Sequence, residues 1–215
     1  MIKAVIFDMD GVLVDNRDVH IESFSTWCQS RNLNIDKNEL VSYFGMGNDE
    51  IFPLILKRDD LTEQDIIQFS QEKEAIYRDM IAAEIKPLKG LVELLESLKK
   101  KGIKIAVGSS GIRENVNFVL EKCNISKYFD AISDGSMASK AKPDPEVFNT
   151  AAQLLNLPNE ECVVCEDSFA GVEASRRAGM KVVVLATTFA REQHNDFDIL
   201  IDDFSQITAD EILAL

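Results

Sequence analysis

Basic charge is scarce in this chain: 23 Lys and Arg stand against 37 Asp and Glu, for a formal net charge of -14. That sign is wrong for gripping a phosphate backbone, so no nucleic acid partner is expected. An anionic small molecule would be repelled as well, and binding one demands a local concentration of positive charge that includes a metal ion. Cysteine is scarce too. Cys28, Cys123, Cys162 and Cys165 are too few and too scattered for a disulfide framework in 215 residues. Only Cys162 and Cys165 form a CxxC, inside an apolar run where a three-residue offset on a strand turns the thiols to opposite faces. They are expected as buried, inert thiols and not as a redox or zinc pair. No apolar run approaches the roughly 20 residues of a membrane span, and Met1-Ile2-Lys3 leads straight into a strand-like segment without a signal-peptide cleavage site. The expectation is a cytoplasmic protein with no membrane partner, acting as a monomer. Internal repeats and low-complexity segments are also missing.

What is present is the composition of a globular protein, 46% hydrophobic and 28% charged. At this length about 70% of the unfolded surface can be buried. Runs rich in Val and Ile read as strands buried on both faces: Lys3 to Phe7, Lys104 to Gly108, Glu161 to Cys165 and Lys181 to Leu185, with Ala131 to Ser133 a further short candidate. Amphipathic helical stretches lie between them, at Gly90 to Lys101, Glu114 to Cys123, Pro145 to Asn156 and Phe169 to Ala178. This alternation predicts an α/β core with a doubly wound, parallel, Rossmann-like sheet. One block breaks it. From Asn16 to Lys86 only helical periodicity is found, at Glu22 to Asn32, Lys37 to Phe44 and Thr62 to Ala83, the last opened by a capping-box-like Thr62-Glu63-Gln64-Asp65. Residues 1–15 and 87–215 are therefore read as the core, and residues 16–86 as an all-helical insert that returns at Lys86-Pro87.

Chemistry gathers at the predicted strand ends. The first strand runs into Asp8-Met9-Asp10-Gly11-Val12, and carboxylates at the carboxyl end of a parallel strand lie where open α/β sheets bind ligands. An isolated DxD is ordinarily a pair of turn formers. Here the next strand ends in Ser109-Ser110-Gly111, a hydroxyl before a turn whose amides suit a phosphate. Lys142 precedes Pro143 and a helix start, a rigid way to aim an ammonium group. A further strand ends in Glu166-Asp167-Ser168. Each signal alone is weak, whereas their coincidence on one sheet edge is specific.

In these four places, Asp8-Met9-Asp10-Gly11-Val12, Ser109, Lys142-Pro143 and Glu166 to Gly171, the sequence resembles the haloacid dehalogenase superfamily, on the branch with a helical cap inserted after the first strand. The first motif is similar to that of β-phosphoglucomutases and related sugar phosphatases. The resemblance spans essentially the whole chain. It implies phosphoryl transfer through an aspartyl phosphate on Asp8, with Mg²⁺ held by Asp8, the Asp10 carbonyl and Asp167, and Glu166 bound directly or through water. Lys142 would neutralise charge, Ser109 and Ser110 would bind phosphoryl oxygens, and Asp10 would serve as general acid and then base. Dehalogenation is not expected, because the dehalogenases lack an acid where Asp10 stands. Phosphonate cleavage is not expected either, since Lys37, the one early lysine of the insert, lies in a polar stretch.

His20 falls where the mutases carry a cap histidine, and it would help either a phosphatase or a mutase. A mutase must also hold a distal phosphate, which its relatives do with an arginine in a Gly-x-x-Arg loop. Here Gly45-Met46-Gly47-Asn48 offers Asn48, and an amide cannot replace a bidentate cation. Unless Lys57, Arg58 or Arg78 reaches in, the insert suits a neutral polar group. The expected function is hydrolysis of a small phosphorylated metabolite, a sugar phosphate, with mutase action the alternative. A silent binding module on this fold would have little reason to keep all four motifs. Phe24 and Trp27 are expected in the core of the insert, Lys99-Lys100-Lys101 as a solvated helix end, and His194 in a polar loop without an evident partner.

Overall fold

A computed structural model of the chain describes residues 1–43 and 46–215. The strand β1 (Ala4–Phe7) is followed by the helices α1 (Arg17–Ser30), α2 (Lys37–Ser42), α3 (Asn48–Leu56) and α4 (Glu63–Ile81). Then come α5 (Leu91–Lys100), β2 (Lys104–Gly108), α6 (Arg113–Lys122), β3 (Ala131–Ser133), α7 (Glu146–Leu154), β4 (Cys162–Glu166), α8 (Phe169–Arg177), β5 (Lys181–Leu185), β6 (Ile199–Ile201) and α9 (Ala209–Leu213). The chain divides into two compact units: Met1–Asp15 with Ile85–Leu215, and Asn16–Glu84. Among the described residues no helix is long and apolar enough to cross a membrane.

The first unit is built on a six-stranded, wholly parallel sheet in the order β3-β2-β1-β4-β5-β6. The chain winds outward from β1 to β3 and then crosses to β4 on the other side of β1. Crossovers therefore leave β1 and β4 in opposite directions, and a crevice opens between their carboxyl ends, where doubly wound sheets take ligands. Alternate side chains go to opposite faces. Val5, Phe7, Val107, Val163 and Leu185 pack under Leu91, Leu95 and Leu98 of α5 and Val116 and Val119 of α6. Ala4, Ile6, Ala106 and Val164 pack under Val147, Phe148 and Ala151 of α7 and Ala174 of α8. Burial on both faces explains why the strands read as unbroken apolar runs. Cys165 lies in the first cluster and Cys162 in the second, on opposite faces as their offset requires. All four cysteines are free and buried.

Strand β4 starts one residue later than the sequence suggests and takes in Glu166, while Glu161 closes a short helical turn before it. The three-residue edge strand β6 and the five-residue α9 carry too little pattern to be read from the sequence.

In the second unit, Trp27 is fully buried and packs at tilted and edge-on angles against Phe52 and Phe69, with Phe24 against Phe52. These rings form that unit's core, as expected. Helix α4 opens on the Thr62–Asp65 capping box: Asp65 N–H donates to Thr62 Oγ1 at 3.2 Å, and Thr62 N–H donates to Asp65 Oδ2 at 2.9 Å. Helix α3 has no counterpart in the sequence reading, because Pro53 sits inside it and the run from Ile51 to Leu56 shows no polar face. Phe44, the expected end of α2, lies outside the described residues.

Candidate active site

Asp8 continues β1 by one residue, its N–H donating to the Cys165 carbonyl at 3.0 Å. The pairing of Phe7 with Cys165 therefore sets Asp8 beside Glu166. Lys142, from the loop before α7, joins them across a long stretch of sequence. Its Nζ donates to Asp8 Oδ1 and to Glu166 Oε1, each at 2.7 Å, and lies 4.6 Å from the centre of the Phe148 ring. Ligand atoms of Asp8, Glu166 and Asp167 all lie within 4.8 Å of one another, and all three residues are buried.

The second oxygen of Glu166 closes the turn into α8. It accepts from Asp167 N–H at 2.6 Å, Ser168 N–H at 2.7 Å and Ser168 Oγ at 3.0 Å. Ser168 in turn caps α8, accepting from Gly171 N–H at 3.0 Å. Only glycine fits there, since a Cβ on Gly171 would stand 1.7 Å from Glu166 Oε1.

Burial dominates the electrostatics. It pushes the Asp8 carboxyl up to about 7; Lys142 opposes that rise, while Glu166 and Asp10 add to it. Asp167 is raised well above the ordinary aspartate value by burial, then by Glu166 and Asp8. For Lys142 burial works the other way, but the charges of Asp8 and Glu166 and the hydrogen bonds to both outweigh it and hold the ammonium above its ordinary value. One ammonium among these buried carboxylates leaves negative charge unbalanced. An all-oxygen donor set of this kind fits a hard divalent cation.

The neighbouring loops close on the same edge. Ser109 is buried, its N–H donating to the Ser133 carbonyl at 3.0 Å and its Oγ accepting from Gly111 N–H at 3.0 Å. A Cβ on Gly111 would lie 3.2 Å from Ser109 Oγ and 3.9 Å from Asp10 Oδ2, so the loops after β1 and β2 meet there. Ser110 is exposed. Gly11 takes the left-handed conformation, at φ 75°, and turns the chain away from β1.

Sequence reasoning passed over Thr187 and Thr188, just beyond β5. Thr187 Oγ1 donates to the Gly11 carbonyl at 2.6 Å, and Thr188 Oγ1 donates to Asp167 Oδ2. The available signal was a further strand end on the same edge. His194 lies in a loop and its Nε2 has no hydrogen-bond partner among the described residues, as expected, but it is not in water. It is 8% exposed and packs against the rings of Phe169 and Phe189, because the loop folds back over α8 instead of into water.

Within the helical unit, His20 and Asn48 belong to one polar cluster. The His20 ring stacks on Tyr77 with centroids 3.9 Å apart, and its Nδ1 lies 2.9 Å from Lys73 Nζ. An ammonium only donates, so Nδ1 faces a donor, and on the other side of the ring Nε2 lies 3.4 Å from Asn16 Nδ2. Asn48 Nδ2 donates to Glu74 Oε1 at 3.2 Å, and the same oxygen accepts from Lys73 Nζ at 2.9 Å. Lys73 and Glu74 are buried and were not singled out from the sequence, where they read as two charges in a long polar helix. Gly45 lies outside the described residues. Lys37 is paired with Glu22 at 2.9 Å on the surface.

Residues 5–185 match the family of haloacid dehalogenase-like hydrolases. The chain belongs to that family. Among its relatives is a phosphorylated carbohydrates phosphatase from Thermotoga maritima, 31% identical over 83% of this chain and 82% of the relative. The beta-phosphoglucomutase of Bacillus subtilis is 31% identical over 84% of this chain and 82% of its own. Protein SUPPRESSOR OF QUENCHING 1, chloroplastic, of Arabidopsis thaliana is 30% identical over 99% of this chain, which spans only 21% of that protein. The solved structure of CbbY from Rhodobacter sphaeroides in complex with phosphate superposes with a TM-score of 0.90, at 26% identity over all of both chains.

Proposed function

We propose that this haloacid dehalogenase-like hydrolase is a Mg²⁺-dependent phosphatase that takes a small phosphomonoester, a sugar phosphate, through an aspartyl phosphate on Asp8. The observation that carries the proposal is the single Lys142 ammonium bridging Asp8 and Glu166 beside Asp167, in the crevice between β1 and β4. The phosphatase and the phosphate-bound CbbY among its relatives support the choice of substrate class.

A carboxylate oxygen of Asp8 attacks phosphorus, the bond to the sugar oxygen breaks, and Asp10 gives that oxygen a proton. Asp10 then takes a proton from the water that attacks the aspartyl phosphate, and phosphate leaves with Asp8 restored. Lys142 stabilises Asp8 as an anion before attack and offsets charge on the transferring group during it. Ser109 and the amides of its loop bind phosphoryl oxygens, with Ser110 at the rim. Asp8, Asp167 and the Asp10 carbonyl, with Glu166 direct or through water, would hold Mg²⁺, which would supply the positive charge that lets two anions approach. His20 and Asn48 are the helical unit's candidates for substrate recognition.

A second reading, a phosphosugar mutase, is favoured by one observation: the Lys73 ammonium stands beside His20. Glu74 on the same ammonium weighs against it, because a neutralised lysine is a poor holder of a second phosphate. Phosphorylated metabolites screened with Mg²⁺ should release inorganic phosphate, and Asp8→Asn should release none. Interconversion of glucose 1- and 6-phosphates without net release would establish the mutase instead.

A further inference from the structure

The two threonines beyond β5 grip the two loops that carry the carboxylates. Thr187 holds the Gly11 carbonyl and Thr188 holds Asp167. Thr188 is 7% exposed, and its hydroxyl donates to Asp167 Oδ2. Gly11 closes on that oxygen from one side. A Cβ on Gly11 would stand 2.0 Å from Asp167 Oδ2 and 3.1 Å from Thr188 Oγ1. The Gly11 backbone and the Thr188 hydroxyl both stand against Oδ2 and restrain rotation of the carboxylate.

We propose that Thr188 is a positioning residue for the cation site: by holding Asp167 through Oδ2 it leaves Oδ1 alone to bind, and so favours Mg²⁺ over Ca²⁺. The inference rests on the reading of Asp167 as a metal ligand. Its physical basis is the different appetite of the two ions. Ca²⁺ takes six to eight oxygens and accepts both oxygens of one carboxylate, while Mg²⁺ insists on near-octahedral geometry with one oxygen from each. A carboxylate pinned by one oxygen serves the second ion and handicaps the first. Groups that orient a metal ligand commonly contribute 10- to 100-fold in affinity.

The test is calorimetric titration of the full chain with MgCl₂ and with CaCl₂, together with the rise in Tm that each salt produces. Thr188→Val keeps the shape and removes the proton, and it should weaken Mg²⁺ binding roughly tenfold while weakening Ca²⁺ less. Thr188→Ser should restore both the affinity and the ratio. A merely structural hydroxyl would lower the Tm without metal and leave the Mg²⁺-dependent rise unchanged. Positioning lowers the rise itself, and at saturating Mg²⁺ kcat recovers. Equal Mg²⁺ affinity and an unchanged Mg²⁺ to Ca²⁺ ratio in Thr188→Val would overturn the proposal. Should that variant not fold, the same comparison is made between Thr188→Ala and Thr188→Ser. A wild-type chain that binds neither ion would instead overturn the metal-dependent reading of the site, which separates the two failures.

Discussion

Lys142 is the residue on which the charges of the site turn. Its side chain is only 9% exposed, it donates at 2.7 Å to both Asp8 and Glu166, and without it those two carboxylates would face one another across a low-dielectric gap. Lys142→Met keeps much of the apolar stem over Phe148 and removes the charge. Phosphate release under saturating substrate is expected to fall about 10²- to 10³-fold, as when one preorganised donor is removed from a charged transition state. Steady-state kinetics on the variant measures this directly. The pH dependence follows from Asp8, at about 7, and from Asp167, raised in the same direction. Folded carboxyls that hold protons more tightly than the unfolded chain contribute stability below the ordinary aspartate value of 3.8, and that contribution is lost as pH rises through about 7. In chelator, the Tm should therefore drop between about pH 5 and about pH 8, and saturating Mg²⁺ should flatten that slope, because a cation relieves the ionised forms. Scanning calorimetry with and without chelator checks both. Residue identities at the strand ends made Asp8, Asp10, Lys142, Glu166 and Asp167 legible as a group. Thr188 was not legible, because a lone hydroxyl has no pattern until the fold sets it against a carboxylate.

At the scale of elements, capping and periodicity decide what can be read. Strands β1, β2, β4 and β5 are buried on both faces and stand out as unbroken apolar runs. Helix α5, with Leu91, Leu94, Leu95 and Leu98 on one face, is as clear. Helix α3 hides behind Pro53, and β6 is too short to alternate. The start of α4 shows how local chemistry fixes a boundary, since the Thr62 and Asp65 side chains satisfy backbone donors that the helix cannot. Thr62→Ala should cost about 1 kcal/mol of stability, read from the urea midpoint. The same variant should turn over substrate at the wild-type rate, since Thr62 is exposed and apart from the His20 cluster.

The whole molecule carries a formal charge of -14, which repels the anion it is proposed to bind. Monovalent salt screens that repulsion over about 10 Å at 0.1 M. For a sugar phosphate, kcat/KM is expected to rise about twofold between low and physiological ionic strength with kcat unchanged, the reverse of an electrostatically steered enzyme. A KCl series at fixed Mg²⁺ measures it.

The sequence by itself determined the class of fold, through strands and helices that alternate around an all-helical block. It also determined the candidate site residues, because Asp, Ser and Glu-Asp stand at successive strand ends and Lys142 directly before Pro143. Only the tertiary structure decided which groups share a proton or a charge. The bridge from Lys142 to Asp8 and Glu166, the grip of Thr188 on Asp167, and the pairing of Lys73 with His20 and Glu74 all join residues by side-chain direction and burial. Those two quantities are set by packing across the whole unit and leave no periodic trace along the chain.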